Sequence, residues 1–511
     1  AGKGALMLQS ELAEIQGQIR EYARGYGLDF FEVVFNVIDY EGINEVASYG
    51  GFPTRYPHWR FGMEYDRLSK GYTYGLHKIY EMVINNDPCY AYLLNSNSLV
   101  DQKIVMAHVY AHCDFFKNNV WFSKTNRKMM DEMANHGVRI RRHMEKYGIE
   151  RVESFLDACL SIDNLIDYHA AFVQRKAKDS HKALDNEEEI PIQARKLKSK
   201  DYMNDFINPK EYMEAQIKKI RESAEEKKNF PETSQKDVLQ FLIEYAPLEN
   251  WERDILSVIR EESYYFTPQA QTKIMNEGWA TYWHSTIMTR KCLKDSELID
   301  YADHHSGTLG TRPGVINPYK IGLEIFRDIE ERWNKGRFGK EYNECENIAE
   351  KKVWDKNLGL GREKIFEVRR IYNDVTFIDA FLTEAFCEKH KLFTYRFNPE
   401  NGTYEIADRD YRKTKEKLLF SLTNSGQPWI YVVDGNYQNR GELYLVHQHD
   451  GIDLKQDFAR DTLKNIQSIW RRPVYIETRL KDQRTRIGYD GKEVIEEKLG
   501  ADKQEPEKVE T

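Results

Sequence analysis

The sequence of 511 residues lacks the features that define several common classes of protein. It has no apolar run approaching the roughly 18–20 residues that a membrane-spanning helix needs, and its first residues carry no apolar core of a secretory signal. It contains neither a G-x-S-x-G motif nor a glycine-rich phosphate loop, so the corresponding serine hydrolases and nucleotide-binding proteins are not indicated. These absences predict a cytoplasmic protein without a membrane span.

The chain also lacks a net positive charge and closely paired cysteines. The net charge is −8, which argues against a protein that mainly binds nucleic acid. The six cysteines include no C-x-x-C pair, so neither a disulfide framework nor a cysteine–zinc site is expected, and a reducing compartment is the default. The chain does contain 41% hydrophobic and 13% aromatic residues. This composition is typical of a folded protein, and the length predicts more than one domain.

Two domains of different architecture are predicted from the spacing of the apolar residues. Residues 1–390 form a mainly α-helical domain, interrupted at 178–235 by a polar, charge-rich excursion with helices of its own. Residues 391–499 alternate between strand and helix patterns, beginning with a hairpin around Asn401-Gly402. They predict a smaller α+β domain, for which a ferredoxin-like arrangement is one candidate. The polar residues 500–511 are expected to be disordered.

The most informative motif is His108-Val109-Tyr110-Ala111-His112. In the H-E-x-x-H motif of zinc peptidases, two histidines four residues apart lie on one face of a helix and bind one metal ion, and the glutamate activates water. Here the histidine spacing is intact, but Val109 occupies the position of the base. Ser98 and Asp101 predict the cap that opens this helix. The motif therefore indicates a metal site without the usual catalytic glutamate.

Glu277 is the best candidate for a third ligand. It lies in the string MNEGWATYWH (residues 275–284), in a helix predicted to open at Thr267-Pro268 and to run to about residue 290. Gly278 and Ala280 would let a neighbouring helix approach closely. The arrangement resembles that of the glutamate-zincin peptidases, in which a second helix supplies a glutamate ligand. Zinc or a similar divalent ion is therefore the expected cofactor, held by His108, His112 and Glu277.

Other polar side chains could complete the chemistry of such a site. A tyrosine or histidine could stabilise a developing oxyanion, and a carboxylate or histidine could replace the missing base. The candidates are His284, His304, His305, Glu262 and Tyr319, with Glu261, Asp114 and His58 as alternatives. Each of these residues could instead have a structural role. The pair His108 and His112 could do so too, because a histidine pair four residues apart also arises by chance in a chain with 14 histidines. A di-iron bundle is disfavoured because no histidine has a glutamate three residues before it.

Longer strings extend beyond these motifs. They are YPHWRFGMEY at 56–65, AHVYAHCDFFKNN at 107–119, CLSIDN at 159–164, NEGWATYWH at 276–284 and NPYKIG at 317–322. On these strings the chain resembles the stage V sporulation protein R family over residues 8–490. Valine within the histidine motif resembles a trait of that family, which favours a modified function over a damaged peptidase.

The resemblance implies a cytoplasmic sporulation protein needed for the peptidoglycan of the spore cortex. It also implies partners of two kinds, a serine-kinase-like ATPase and a von Willebrand-type protein. The residues and the resemblance together predict a metal-dependent amide hydrolase, with a peptide of the peptidoglycan type as its substrate. The alternative is a non-catalytic scaffold with a metallopeptidase-like fold that binds kinase-type partners. An open metal position with a nearby carboxylate would favour the enzyme, whereas a closed four-ligand site would favour the scaffold.

Overall fold

Four segments of the chain, residues 2–73, 81–173, 230–311 and 314–500, are described by the computed structural model. Most of the predicted excursion at 178–235, and residues 501–511 of the predicted tail, lie outside these segments, so both expectations stay predictions. Within the described segments, none of the helices combines the length and apolar content that crossing a bilayer requires.

The chain divides into two compact units, and the first contains residues 1–152 and 264–426. In this unit a sheet in the order β1-β3-β2 pairs β1 (Val33–Ile38) in parallel with β3 (Cys89–Leu94), and β3 antiparallel with β2 (Glu81–Ile84). The hairpin predicted around Asn401-Gly402 is confirmed as strands β4 (Thr394–Asn398) and β5 (Thr403–Asp408).

The other regular elements described in the first unit are mainly α-helices. Its described helices are Gly2–Gly25, Tyr40–Ser48, Trp59–Thr73, Leu99–Asn118, Met129–Tyr147, Lys273–Ile287, Leu298–Thr308, Pro318–Asn334, Gly339–Glu344, Ile348–Val353, Gly361–Ile371, Asp374–Phe381, Glu384–His390 and Tyr411–Leu422. Two further helices, Ile149–Leu160 and Asn250–Gln271, begin in one unit and end in the other.

Three helices carry the candidate site, and we name them here. The His-pair helix is Leu99–Asn118, the glutamate helix is Lys273–Ile287, and the tyrosine helix is Pro318–Asn334. In the His-pair helix every residue from 102 to 116 is buried, as expected of a helix enclosed by other elements. Its apolar side chains join those of the other two helices in one hydrophobic cluster, which we call the main hydrophobic cluster.

The second unit contains the described residues 153–173, 230–263 and 427–500. Its sheet runs in the order β10-β9-β8-β7-β6, with strands β6 Trp429–Tyr437, β7 Glu442–Gln448, β8 Val474–Leu480, β9 Gln483–Tyr489 and β10 Val494–Lys498. Helix Gln456–Trp470 connects the parallel pair β7 and β8, and helix Val238–Tyr245 contacts β6. A helical domain followed by an α+β domain is therefore confirmed.

Two details of the α+β domain differ from expectation. Its strands follow one another in chain order, whereas a ferredoxin-like sheet interleaves strands from two βαβ units. The units also do not divide at residues 390/391, because residues 391–426 belong to the first unit and residues 153–263 to the second. A backbone bridge between Gln235 and Val432 pairs the middle of the chain with β6, which no local pattern in the sequence indicates.

The predicted helix start at Thr267-Pro268 is wrong. Pro268 lies inside the last turn of helix Asn250–Gln271, and the glutamate helix begins only at Lys273. Proline is usually placed at the first helical position because it lacks an N–H group. Here the preceding helix ends three residues later, and the Thr272 hydroxyl donates to the Pro268 carbonyl. The local cap pattern was therefore overridden by the packing that continues the earlier helix.

Candidate metal centre

The His-pair helix begins as its sequence predicts. The Asp101 N–H donates to Ser98 Oγ at 3.1 Å, and the Ser98 N–H donates to Asp101 Oδ2 at 3.3 Å, which is the reciprocal bonding of a capping box. One face of the helix carries His108 and His112, while the Val109 side chain is fully buried in the main hydrophobic cluster. The missing glutamate position thus faces apolar packing.

The glutamate helix is capped by a residue far away in the sequence. Asp374 accepts the N–H groups of Ile274 at 2.8 Å and Met275 at 2.9 Å, two of the donors that the first turn of a helix leaves unsatisfied. Asp374 is almost fully buried, and burial raises the pKa of its carboxyl to about 7, against the lowering effect of these two hydrogen bonds. This contact fixes the start of the helix one turn before Glu277.

Two glycines bring the glutamate helix and the tyrosine helix into backbone contact. A Cβ atom placed on Gly278 would lie 2.4 Å from the Cα of Gly322, a distance that only a missing side chain permits. The predicted close approach of a helix at Gly278 is therefore confirmed, and the approaching helix is the one that begins at Pro318. The crossing places Tyr319, one turn before Gly322, beside the histidines.

The tertiary structure brings His108, His112 and Glu277 together. Their ligand atoms lie within 4.8 Å of one another: the two Nε2 atoms are 2.9 Å apart, and Glu277 Oε2 is 3.5 Å from each. Ligand bonds of about 2.0–2.1 Å in a tetrahedral zinc site place neighbouring ligand atoms about 3.4 Å apart. The observed separations bracket that value, so these three residues fit a zinc ion or a similar divalent cation.

Burial and hydrogen bonding support the same assignment. The side chains of His108, His112 and Glu277 are only 6%, 7% and 13% exposed. Within the described part of the chain, Glu277 Oε2 makes no hydrogen bond of ordinary geometry, although Oε1 lies 3.5 Å from Lys273 Nζ. A buried carboxylate oxygen without a donor is costly unless a cation compensates it. Despite burial, the adjacent imidazoles hold the pKa of Glu277 well below its usual value.

Hydrogen bonds to the outer ring nitrogens orient both histidines. His112 Nδ1 lies 2.8 Å from Asn276 Oδ1, and because an amide oxygen only accepts, Nδ1 carries the proton and Nε2 presents its lone pair. Burial disfavours the charged form of His112, but the Glu277 carboxylate and Asn276 outweigh it and raise the pKa of this imidazole. Asn276, directly before Glu277, was not among the predicted residues.

A second set of contacts leads away from His108. His108 Nδ1 lies 3.0 Å from His284 Nδ1, and His284 Nε2 lies 3.3 Å from His305 Nδ1. If His108 binds a cation through Nε2, its Nδ1–H donates to His284, whose Nε2–H then donates to His305. Burial and the neighbouring histidines hold the pKa of His284 well below its usual value, so His284 is a neutral imidazole.

Two further predicted residues lie close to these groups. Tyr319 stacks on His108 with ring centroids 6.2 Å apart. Burial, with the negative charges of Glu277 and Glu81, raises the pKa of its phenol, so Tyr319 stays a neutral hydrogen-bond donor. His304 Nδ1 lies 2.8 Å from Asp101 Oδ1, in the capping box of the His-pair helix.

Three of the predicted carboxylates lie elsewhere. Glu262 is buried in helix Asn250–Gln271 and belongs to the second unit, as does the adjacent Glu261, whereas the triad belongs to the first. Asp114 is fully buried and accepts hydrogen bonds from the Asp29 N–H and from the Trp279 indole at 2.8 Å each. Burial raises the pKa of its carboxyl to about 6. Asp114 thus ties the His-pair helix to its neighbours.

Glu81 is the residue that sequence reasoning missed. It is the first residue of β2, and its Oε1 lies 4.0 Å from His108 Nε2. Burial raises the pKa of its carboxyl, against the opposing effect of His108 and His112. The only signal in the sequence is a charged residue at the start of the short apolar strand Glu81–Ile84. That signal does not show which helix the strand faces.

Comparisons with known proteins cover nearly the whole chain. A family model described as "SpoVR like protein" matches residues 7–427, and one described as "SpoVR-like C-terminal domain" matches residues 428–481. The chain is 28% identical over 512 residues to the "Uncharacterized protein YcgB" of Escherichia coli (strain K12), covering 93% of this chain and 92% of that protein. No solved structure matches. The two family matches meet at residues 427/428, where the chain re-enters the second unit at Gln427.

Proposed function

The chain belongs to the SpoVR-like family, and from that premise we propose that it is a zinc-dependent amide hydrolase whose metal is held by His108, His112 and Glu277. Membership confirms the family resemblance noted in the sequence and supports a sporulation-related protein. The observation that carries the proposal is the convergence of three buried ligand atoms within 4.8 Å of one another. Catalysis and the choice of metal go beyond family membership and rest on this geometry.

The three ligands come from two helices, which gives the site a rigid frame. His108 and His112 present Nε2 from one helix face, and Glu277 presents Oε2 from the facing helix. A bound zinc ion would polarise a substrate carbonyl and lower the pKa of water. Three protein ligands leave one position of a tetrahedral site open, as in catalytic sites, whereas structural sites use four.

Tyr319 would act on the substrate, whereas Asn276 and His284 would support the metal ligands. The Tyr319 hydroxyl, held neutral beside His108, would donate a hydrogen bond to the carbonyl oxygen as negative charge develops there. Asn276 and His284 orient the rings of His112 and His108 through contacts to the Nδ1 atoms of those rings. Outer hydrogen-bond partners have this role in zinc sites. His305 and His304 lie further out, at a half-exposed helix that borders the site.

We propose that the substrate is a peptide of the peptidoglycan type and that the reaction takes place in the cytoplasm. The protein would then be required for formation of the spore cortex. A serine-kinase-like ATPase and a von Willebrand-type protein remain the proposed partners. These assignments follow from what the family resemblance implies, whereas the reaction type is argued from the geometry of the site. Any substrate must be able to place an amide carbonyl at the position that the three ligands leave open.

Elemental analysis of protein purified without a metal-affinity tag tests the proposal. The wild type is expected to bind about one equivalent of zinc, and His108→Ala and Glu277→Ala are expected to lose it while remaining folded. His143→Ala is the control, since His143 lies in helix Met129–Tyr147 and outside the triad. Loaded wild type is then assayed for cleavage of synthetic peptidoglycan stem peptides.

Two results would overturn the proposal that the protein is a hydrolase. A folded wild type that takes up no zinc when zinc is offered would leave no metal for the reaction. A closed site, with four protein ligands in the X-ray absorption spectrum of the zinc-loaded protein, would indicate the non-catalytic scaffold.

A further inference from the structure

Glu81 lies where a catalytic carboxylate is needed, and we propose that it is the general base that replaces the glutamate missing at position 109. The inference rests on the proposed function, because it assigns a role beside the same metal ligands. It concerns the proton of the attacking water, which neither the triad nor Tyr319 accepts.

The alternation of β2 directs Glu81 toward the His-pair helix. Side chains two residues apart in a strand point to the same face. Val83 packs against the main cluster, to which residues of the His-pair helix belong. Met82 and Ile84, on the opposite face, lie 3.5 Å and 3.7 Å from the position of a Cβ on Gly51. Glu81 therefore shares the face of Val83, and its Oε1 lies 4.0 Å from His108 Nε2.

The pairing of the strands fixes this position. Glu81 lies opposite Leu93 in the antiparallel pair of β2 and β3, and Leu93 is fully buried. Five residues after β3 ends, the chain enters the His-pair helix at Leu99. The strand that holds Glu81 is thus anchored to the element that leads directly into the metal-ligand helix.

Glu81 is close to the triad without joining it. The ligand atoms of His108, His112 and Glu277 lie within 4.8 Å of one another, whereas Glu81 approaches His108 Nε2 at 4.0 Å and is not part of this group. A fourth ligand would have to approach all three of the others, whereas a base must reach a water molecule at the open position. The placement of Glu81 beside one ligand fits the second requirement.

Position 109 does not offer an alternative site for the base. Val109 is fully buried within the main hydrophobic cluster, where a charged carboxylate would be strongly disfavoured by desolvation. In this fold the carboxylate therefore comes from a strand and not from the histidine helix. The predicted candidates Glu262 and Asp114 are held in other interactions or in the second unit.

The assigned step balances without a further reactant. The oxygen of water forms a bond with the carbonyl carbon, and the proton it releases passes to Glu81 Oε1. The C–N bond then breaks, and the same proton passes to the departing nitrogen. One water molecule is consumed, one amide is cleaved, and no electron donor or acceptor takes part.

The test compares wild type, Glu81→Gln and Glu81→Asp of the full chain, with Glu64→Gln as a control on an exposed ion pair. Acetohydroxamic acid is the probe, because it binds zinc as its anion and releases a proton to a neighbouring carboxylate. Calorimetry measures its affinity for the zinc-loaded proteins, and a chelator competition measures zinc affinity. The visible spectrum of the cobalt-substituted proteins reports the ligand set.

We expect Glu81→Gln to bind zinc with wild-type affinity and to keep the wild-type cobalt spectrum, while acetohydroxamic acid binds about 100-fold more weakly. Glu81→Asp should recover part of that loss, and Glu64→Gln should match the wild type. Unchanged acetohydroxamic acid affinity in Glu81→Gln would overturn the proposal. Tenfold weaker zinc binding or an altered cobalt spectrum in Glu81→Gln would also overturn it, by making Glu81 a ligand. A wild type that binds no zinc would instead overturn the proposed function itself.

Discussion

Gly278 and Gly322 lie against each other where the glutamate helix crosses the tyrosine helix. A Cβ on Gly322 would lie 2.7 Å from Gly278 Cα and 2.2 Å from the Ile274 carbonyl oxygen. No rotamer change relieves such a clash, because the obstructing atoms belong to the backbone. The two glycines therefore set the distance between the helices that carry Glu277 and Tyr319.

Replacing Gly278 by alanine should push these helices apart. Alanine has a higher helix propensity by about 1 kcal/mol, but overpacking costs about 1–3 kcal/mol or more, so a net loss of stability is expected. Thermal unfolding followed by circular dichroism should show a lower midpoint for Gly278→Ala, and zinc affinity should fall as well. Gly62→Ala is the matched control, because a Cβ on Gly62 meets nothing within 4 Å. A Gly278→Ala midpoint equal to or above that of Gly62→Ala would contradict the crossing.

Asn276→Ala should weaken metal binding although Asn276 is not a ligand. The substitution removes the acceptor that fixes the Nδ1–H of His112, and loss of such a partner typically costs 10–100-fold in metal affinity. Chelator competition measures the change. Asn276→Asp retains an acceptor oxygen and should keep most of the affinity. Equal zinc affinity in Asn276→Ala and the wild type would show that the contact does not orient the ring.

Asp374 should make the stability of the first unit depend on pH. Its pKa is about 7 in the folded chain, against an ordinary value of 3.8, so between these values the folded state keeps a proton that the unfolded state has released. Its contribution to stability is therefore complete below about pH 4 and is lost as the pH rises to about 7, by up to about 4 kcal/mol.

The measurement for Asp374 is urea denaturation of wild type and Asp374→Asn at several pH values between 4 and 7, with chelator present throughout. The variant cannot titrate at this position, so the difference in unfolding free energy isolates Asp374. We expect the advantage of the wild type to shrink as the pH rises. A growing advantage would mean that the N–H groups of Ile274 and Met275 stabilise the ionised carboxylate more than burial destabilises it.

Lys103 and Glu297 form a buried ion pair. Replacing one partner should destabilise the fold, and replacing both should cost much less stability. Lys103 Nζ lies 2.7 Å and 2.8 Å from the two oxygens of Glu297, and the side chains are 7% and 11% exposed. Lys103→Met alone would strand a buried carboxylate, at a cost of about 3–5 kcal/mol. The pair joins the His-pair helix to the segment that leads into His304 and His305.

The double variant Lys103→Met with Glu297→Leu should recover most of that stability, because no charge is left uncompensated. A double-mutant cycle based on urea midpoints measures the coupling between the two positions. If the two losses simply add, the side chains do not interact in the folded protein.

Local patterns were enough to predict several elements of this fold. The capping box of Ser98 and Asp101 forms as expected because both partners lie within four residues. The hairpin at Asn401-Gly402 forms for the same reason, since Gly402 adopts the positive φ of 63° that the turn requires. The same local reasoning failed at Thr267-Pro268, where an earlier helix continues through the proline.

The candidate site shows a similar limit. His108 and His112 are one helical turn apart, so the pair can be recognised from the sequence alone. Glu277 could be proposed from its own string, but its distance to the histidines depends on the contact between Gly278 and Gly322. Glu81 could not be proposed at all, because its place beside His108 depends on the pairing of β2 with β3.

Residue order alone thus determined the helical first part, the α+β second part, the histidine pair and the absence of a glutamate at position 109. These features depend on contacts between residues a few positions apart, whose geometry the helix and strand periods dictate. The tertiary structure alone decided which carboxylates reach the histidines, since Glu277 and Glu81 arrive from elements far apart in the chain. Such contacts depend on how whole elements pack, and packing is set by steric fit and burial over many residues at once.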